Sequence, residues 1–244
     1  MQHMFRLLLC SLFVFLVFLP ADAQLKDLMK KADQAAQKVL GEDSSLDVGN
    51  GLKEALEFGV REAVDQLSAD NGYLESPYKI FLPEEAVTVV NKLKMVPGFQ
   101  DVEANLIAKM NEAAEIAAAK ATPIFVNAIT SLTFDDAMNI LTGEDDAATQ
   151  YLSRTTRAQL YDAFLPVIQS ALDEVNARTY WKSAVDAYNR IPMVRKVNPQ
   201  LDDHVNNKGL DGLFSLITVK EGKIRNDVNE RKTDLLKRVF AKQD

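Results

Sequence analysis

Apolar residues recur at three- and four-residue spacing along most of the chain, and the clearest stretch lies near its middle. One face of that stretch carries Val102, Leu106, Met110, Ala113 and Ala117, and a second face carries Ala104, Ala108, Ala114, Ala118 and Ala121. This spacing predicts a helix. Because alanine favours helix and has almost no side chain, other helices can pack closely on both sides. We therefore expect this helix at the centre of a bundle.

The same spacing predicts helices before and after it. Their approximate ranges are 25–40, 52–67, 84–96, 124–132, 134–142, 146–152, 157–175, 180–188, 201–226 and 235–240. Between Pro77 and Pro83, aromatic and β-branched residues form a segment too short for a helix, and no second strand is available to pair with it. The predicted fold class is all-α, a multi-helix bundle around a central alanine-rich helix with one extended loop strapped across it.

Threonine and asparagine side chains mark where several of these helices should begin. Four pairs have the spacing of an N-cap with a first-turn partner or proline: Thr122 with Pro123, Thr133 with Asp136, Thr156 with Gln159, and Asn198 with Pro199. Pro166 lies inside the helix that should follow Thr156, so a kink or break is expected there. The acidic run Glu144–Asp146 is interpreted as a cap for the next helix, because a calcium loop needs six or more oxygens at regular spacing.

The first residues have the form of a secretory signal peptide, with Arg6, an apolar run over 7–19 and then Ala21-Asp22-Ala23. The run is shorter than the roughly 20 residues that span a bilayer, so we expect cleavage and no transmembrane anchor afterwards. The predicted division is a signal peptide over 1–23, a helix and linker over 24–50, and the bundle over 51–244. The predicted location is exported, periplasmic or otherwise extracytoplasmic.

Composition narrows the possible chemistry. After cleavage the chain has no cysteine, and His204 is its only histidine, which argues against disulfides, reactive thiols and multi-histidine zinc sites. The formal net charge of −7 argues against nucleic-acid binding. No glycine-rich phosphate loop occurs. The sequence therefore predicts no cofactor, no metal site and no catalytic residue of a known pattern.

Several strings of residues resemble a bacterial family catalogued only as a domain of unknown function, from about Gly51 to Phe240. They are 110–115, 123–125, 128–129 with Thr133 and 136–137, 147–149 with Tyr151, 210–214, 224–225, 233–236 and 239–240. The resemblance implies an exported helical protein and names no activity, cofactor or substrate. One departure is Gly209, where the family pattern has alanine, and a glycine there costs the helix up to about 1 kcal/mol.

Six polar residues are the candidates for binding a ligand: Asn111, Glu115, Asp136, Arg154, Asp211 and Arg225. Asn111 and Glu115 lie on the central helix and need hydrogen-bond partners if they are buried. Asp211 is the only charged residue in an apolar stretch over 209–219, so we expect it to face the core or a cavity and to pair with Arg225 or Arg154.

Two functions remain open on the sequence. The preferred one is a non-enzymatic binding or envelope-associated protein, monomeric or weakly self-associating, whose partner is a small ligand or an envelope protein. The alternative is a hydrolase-like enzyme that uses carboxylates of the central helix as acid and base, which requires burial to separate their pKa values.

The signal peptide gives a direct prediction. We expect the exported protein to begin at Gln24, because Ala21-Asp22-Ala23 has the small-residue pattern of a cleavage site. The intact mass of the exported protein measures this. A protein that keeps Cys10 and carries lipid on it would contradict the prediction.

Overall fold

The protein is described by a computed structural model for residues 48–93, 100–174, 176–190, 192–193, 196, 198 and 200–241. The predicted signal peptide and the predicted helix over 25–40 lie outside these residues. The described residues form helices, one 3₁₀ turn and irregular loops, with no strand. The helices are α1 (48–67), α2 (Glu84–Leu93), α3 (Val102–Ala118), α4 (Ala121–Thr130), α5 (Phe134–Leu141), α6 (Ala147–Glu174), α7 (Ala177–Asn189), α8 (Leu201–Asn226) and α9 (Asp234–Phe240), and the 3₁₀ turn is Val228–Glu230.

The alanine-rich helix α3 is buried in its C-terminal half, where Ala113, Ala114, Ala117 and Ala118 have no exposed surface. It packs against α6 and α8, which also pack against each other. Helix α6 in addition contacts α4, α5 and α7. The all-α bundle that the apolar spacing predicts is confirmed, with α6 and α3 together at its centre.

One predicted helix boundary is wrong. Thr156 was expected to begin a new helix, but α6 runs without interruption for 28 residues and passes through both Thr156 and Pro166. Thr156 is buried, and its hydroxyl donates to the carbonyl of Leu152 one turn earlier (2.6 Å). The hydroxyl therefore has a hydrogen-bond partner within the helix. Pro166 and Asp162, the residue whose carbonyl would bond an N–H at position 166, are both exposed, so water can take the place of the missing hydrogen bond.

Two of the other predicted caps also differ. Helix α4 already begins at Ala121, and the N-cap position is Lys120 with no side-chain cap, so Thr122 lies inside the helix. Asn198 accepts from the backbone N–H of Gln200 (2.9 Å), and α8 begins only at Leu201. The Thr133 and Asp136 capping box is present, with each residue bonding the other's backbone N–H.

The loop between α1 and α2 crosses the outside of α3 and α8. It begins with a turn in which Asn71 has a positive φ of 60°. A Cβ on the next residue, Gly72, would lie 2.5 Å from the carbonyl oxygen of Gln66, so only glycine fits. Residues 79–83 then run without helix or turn to α2. The predicted extended loop is therefore confirmed.

No helix among the described residues is both long enough and apolar enough to cross a membrane.

Position 209 offers a test of the packing between α8 and α3. We expect Gly209→Ala to raise the free energy of unfolding by up to about 1 kcal/mol, because alanine restricts the unfolded chain and favours helix. The added Cβ would lie 3.5 Å from the Cβ of Ala114, which is ordinary van der Waals contact. Chemical denaturation measures the change.

Gly212, one turn further along α8, is the matched control. A Cβ there would lie 3.0 Å from the ring of Tyr73 and 3.1 Å from the Cβ of Tyr78. We expect Gly212→Ala to give no net increase in the free energy of unfolding, because this crowding offsets the gain in helix propensity. Equal stabilisation by both substitutions, or destabilisation by Gly209→Ala, would contradict this packing of α8 against α3 and the loop.

Candidate functional site

Asn111 and Glu115 lie one turn apart on the buried face of α3 and hold the loop over 73–80. The Asn111 side chain accepts from the N–H of Ile80 (2.8 Å) and donates to the carbonyl of the same residue (2.9 Å). Glu115 Oε1 accepts from the N–H groups of Tyr73 (3.1 Å) and Leu74 (3.3 Å). Both residues are buried, so the expectation that they need partners is met by backbone groups of the loop.

Tyr73 and His204 fix the loop to α8. The Tyr73 hydroxyl donates to the carbonyl of Gly209 (2.7 Å), and burial, followed by the nearby charge of Glu115, raises the pKa of Tyr73. His204 donates from Nε2 to the carbonyl of Phe81 (2.9 Å). Hydrogen bonds thus join the loop to α3 and α8 at Tyr73, Leu74, Ile80 and Phe81. The path of the loop is set by side chains that lie far from it in the sequence.

Asp136 and Arg154 form a second, separate group. Asp136 Oδ2 accepts from the hydroxyl and the N–H of Thr133, and these two hydrogen bonds hold the pKa of Asp136 below its usual range, with Arg154 adding a favourable positive charge. Arg154 lies over the ring of Tyr151, with 5.6 Å from its guanidinium carbon to the ring centroid. This arrangement caps α5 and faces solvent.

Arg225 belongs to a buried ion pair that the sequence did not reveal. Its partner is Glu221, one turn earlier on α8, with 2.8 Å between Arg225 Nη2 and Glu221 Oε1. Both side chains are more than nine-tenths buried. The sequence signal that could have found the pair is the four-residue spacing of opposite charges on one helix.

The same pair joins two helix ends. Glu221 accepts from the N–H groups of Ala148 (2.9 Å) and Thr149 (2.8 Å), at the start of α6. Arg225 donates to the carbonyls of Ile140 (2.8 Å) and Leu141 (3.3 Å), at the end of α5. An anion at a helix N-terminus and a cation at a helix C-terminus are both favourable. The cap of α6 expected from Glu144–Asp146 is therefore supplied, across the bundle, by Glu221.

A small cavity of about 20 Å³ lies beside this pair, between α1, α6, α8 and α9. It has room for one water molecule and is too small for a larger ligand.

The partner predicted for Asp211 is wrong. Asp211 is paired with Arg157 of α6, with 2.7 Å between Arg157 Nη2 and Asp211 Oδ1, and half of its side chain is exposed. Leu210 and Leu213 face the core. Because each residue turns the helix by about 100°, the position after Leu210 points outward, together with Lys208 and Ser215. The apolar neighbours of Asp211 in the sequence are thus on another face of α8.

The six predicted ligand-binding candidates do not converge on one place. Asn111 and Glu115 hold the loop, Asp136 and Arg154 lie at α5, and Arg225 lies in the ion pair with Glu221. Asp211 alone faces an open groove, which we call the loop–α8 groove. It has a volume of about 670 Å³, and its walls are the loop over 77–84 and the outward face of α8 with His204, Lys208, Asp211 and Ser215.

The loop–α8 groove combines charge with an exposed aromatic ring. Phe81 is 63% exposed, and Lys79 Nζ lies 5.6 Å from its ring centroid. Tyr78, on the same wall, is partly buried, and that burial raises its pKa. Sequence reasoning gave no role to Phe81 or Lys208. Lys208 could have been found from its spacing, since 204, 208, 211 and 215 share one face of a helix.

The described residues contain no group of three or more histidine, cysteine, aspartate or glutamate side chains placed to hold a metal ion. The acidic run at 144–146 does not form such a group.

A comparison with models of protein families identifies the family of the chain. The family model described as a protein of unknown function, DUF4197, matches residues 42–241. The chain belongs to this family. No curated protein and no solved structure matches the chain. Membership agrees with the resemblance seen in the sequence, and the family description names no activity.

The buried ion pair predicts a large effect on stability. We expect Glu221→Ala to lower the free energy of unfolding by about 3–5 kcal/mol, because it leaves a buried arginine without its counter-charge and removes the acceptor at the start of α6. Thermal and chemical denaturation measure this.

Lys182 and Asp186 on α7 have the same four-residue spacing and the same distance of 2.8 Å, but their side chains are 65% and 44% exposed. We expect Asp186→Ala to cost less than about 1 kcal/mol. A loss of similar size in both variants would show that burial of the Glu221 and Arg225 pair does not matter.

Proposed function

We propose that this protein is an exported, non-enzymatic binding protein that holds a small ligand in the loop–α8 groove. The observation that carries the proposal is the combination, in one groove of about 670 Å³, of an exposed aromatic ring with charged side chains from a neighbouring helix. Sites for small molecules are commonly clefts of roughly 300–1,000 Å³ with a few polar groups that orient the ligand.

The fixed backbone of the loop supports this proposal. A single residue can direct its N–H and carbonyl to one partner only when its backbone is extended, as in a pair of strands. Both backbone groups of Ile80 bond the Asn111 side chain, so the backbone of Ile80 is extended. The backbone groups of the next residue, Phe81, therefore point away from α3, and the Phe81 carbonyl accepts a hydrogen bond from His204. The Phe81 ring is therefore exposed on a backbone that is held on both sides, which lowers the entropy lost when a ligand packs on it.

The enzymatic alternative has weaker support. It required carboxylates of the central helix to be available for proton transfer, but Glu115 Oε1 accepts two backbone N–H groups of the loop. Glu112, the other acidic residue nearby, is half exposed and pairs with Lys109 (2.7 Å). Neither carboxylate lines the loop–α8 groove. Export is supported by the signal-peptide form of residues 1–23.

The proposal is tested with three probes that share one ring and differ in charge: benzoate, benzamide and benzylamine. We expect at least one of them to shift backbone amide resonances of residues 78–84 and 204–215 in NMR spectra of the isotopically labelled protein, and to be recovered unchanged.

A variant that fills the groove supplies the control. Ser215 lies on the outward face of α8 within the groove, and a helical side chain leans over the preceding turn, so Ser215→Trp should cover the groove and abolish the shifts. Val228→Trp, at an exposed position after α8, should leave them intact. If no probe shifts these resonances, or Ser215→Trp does not reduce the shifts, the loop–α8 groove is not a binding site.

A further inference from the structure

We infer that the ligand of the loop–α8 groove is a soluble organic anion with an apolar or aromatic body, such as an aromatic or aliphatic carboxylate. The inference rests on the proposed function and adds the chemical class of the ligand. Its basis is the balance of charges in the groove and the position of the exposed ring relative to them.

The negative charge of Asp211 is already neutralised from outside the groove. Arg157, which belongs to α6, contacts Asp211 Oδ1 at 2.7 Å and also lies 5.9 Å from the ring centroid of Phe214. Lys208 Nζ is 3.9 Å from Asp211 Oδ2, beyond hydrogen-bond distance, and the Lys208 side chain is more than half exposed. Lys208 therefore has donors available for an anionic group.

The other charged groups of the groove also favour an anionic ligand. Lys79 lies beside Phe81, where its ammonium group can contact a ligand that stacks on the ring. Glu84, the second acidic residue of the wall, is the first residue of α2, and the partial positive charge of that helix end offsets part of the charge of its carboxylate. With Arg157 paired to Asp211, Lys79 and Lys208 face only one remaining carboxylate, that of Glu84, so the groove has a surplus of positive charge on a protein whose net charge is −7.

The exposed ring of Phe81 indicates the second feature of the ligand, its apolar body. An exposed phenylalanine next to a cation provides an apolar surface with a charge at its edge, which suits a molecule that has an apolar body and one anionic group. A groove of about 670 Å³ has room for one such molecule. We therefore assign the anionic group to Lys208 and Lys79 and the apolar body to Phe81.

The experiment uses 8-anilino-1-naphthalenesulfonate, an aromatic sulfonate whose fluorescence rises on binding, with decanoate as a competitor. Three substitutions in the groove should change its affinity in different directions. Phe81→Ser should weaken binding by about tenfold through loss of the ring contact. Lys208→Gln should weaken it by about threefold, and Asp211→Asn should strengthen it by about threefold because it leaves the positive charge of Arg157 without its partner. Decanoate should displace the dye.

Two matched control variants remove a phenylalanine ring and a lysine charge outside the groove. Phe134 on α5 is 49% exposed and Lys223 is exposed near the end of α8, and neither lines the groove. Phe134→Ser and Lys223→Gln should leave the affinity for the dye unchanged. Equal losses in these controls would mean that the dye binds to exposed apolar surface in general, which overturns the inference.

The outcomes separate the ligand class from the proposed function. Binding of benzylamine in the groove without benzoate would mean a cationic ligand, so that the binding function would stand and the anion would be excluded. Opposite signs for Lys208→Gln and Asp211→Asn would show that the sulfonate of the dye does not lie at Lys208, which overturns the assignment of the anionic group. Sedimentation of the protein with phosphatidylglycerol vesicles, without displacement of the dye by decanoate, would place the anionic group on a lipid surface and overturn the assignment to a soluble molecule.

Discussion

The pair of hydrogen bonds between the Asn111 amide and the backbone of Ile80 is the interaction on which the surface of this protein depends. A loop that lies against a helix bundle must satisfy its N–H and carbonyl groups away from water, and helices have no free backbone groups along their sides to do so. Asn111 supplies both a donor and an acceptor from inside α3. Glu115 supplies an acceptor for two N–H groups of the turn at Tyr73. Asn111 and Glu115 together fix the position of the loop, which forms one wall of the loop–α8 groove.

A second set of buried charges performs a similar task for the helix ends. Glu221 and Arg225 lie on one face of α8 and bond the start of α6 and the end of α5, so one ion pair closes the corner between two helices. Arg231, only 1% exposed, donates to the carbonyls of Ile224 and Arg225 at the end of α8. Arg225 and Arg231 are therefore structural, and their positive charges are not available at the surface.

The polar residues of this bundle thus divide into two groups with different chemistry. The first group consists of four core residues whose polar atoms bond backbone groups, which makes them structural and unsuitable for proton transfer or ligand exchange: Asn111, Glu115, Glu221 and Arg225. The second group, on the outward face of α8, includes Lys208, which is exposed, lies 3.9 Å from Asp211 Oδ2 and lines the same groove as Phe81. This difference in availability, rather than the number of polar residues, is why the loop–α8 groove is the better candidate for function.

The sequence by itself determined the all-α fold, the helix from 52 to 67, the capping box at Thr133 and the loop between Pro77 and Pro83, because helical spacing, cap chemistry and proline act over a few residues. It also indicated that Asn111 and Glu115 would need partners if buried. Only the tertiary structure decided that α6 continues through Thr156 and Pro166, since packing on both sides of a long helix outweighs a local start signal. The distant partners of Asp211, Arg225 and His204 were likewise decided by the fold. Each of them bonds a group at least 50 residues away in the chain, and which distant groups meet depends on how the helices pack, which no local pattern encodes.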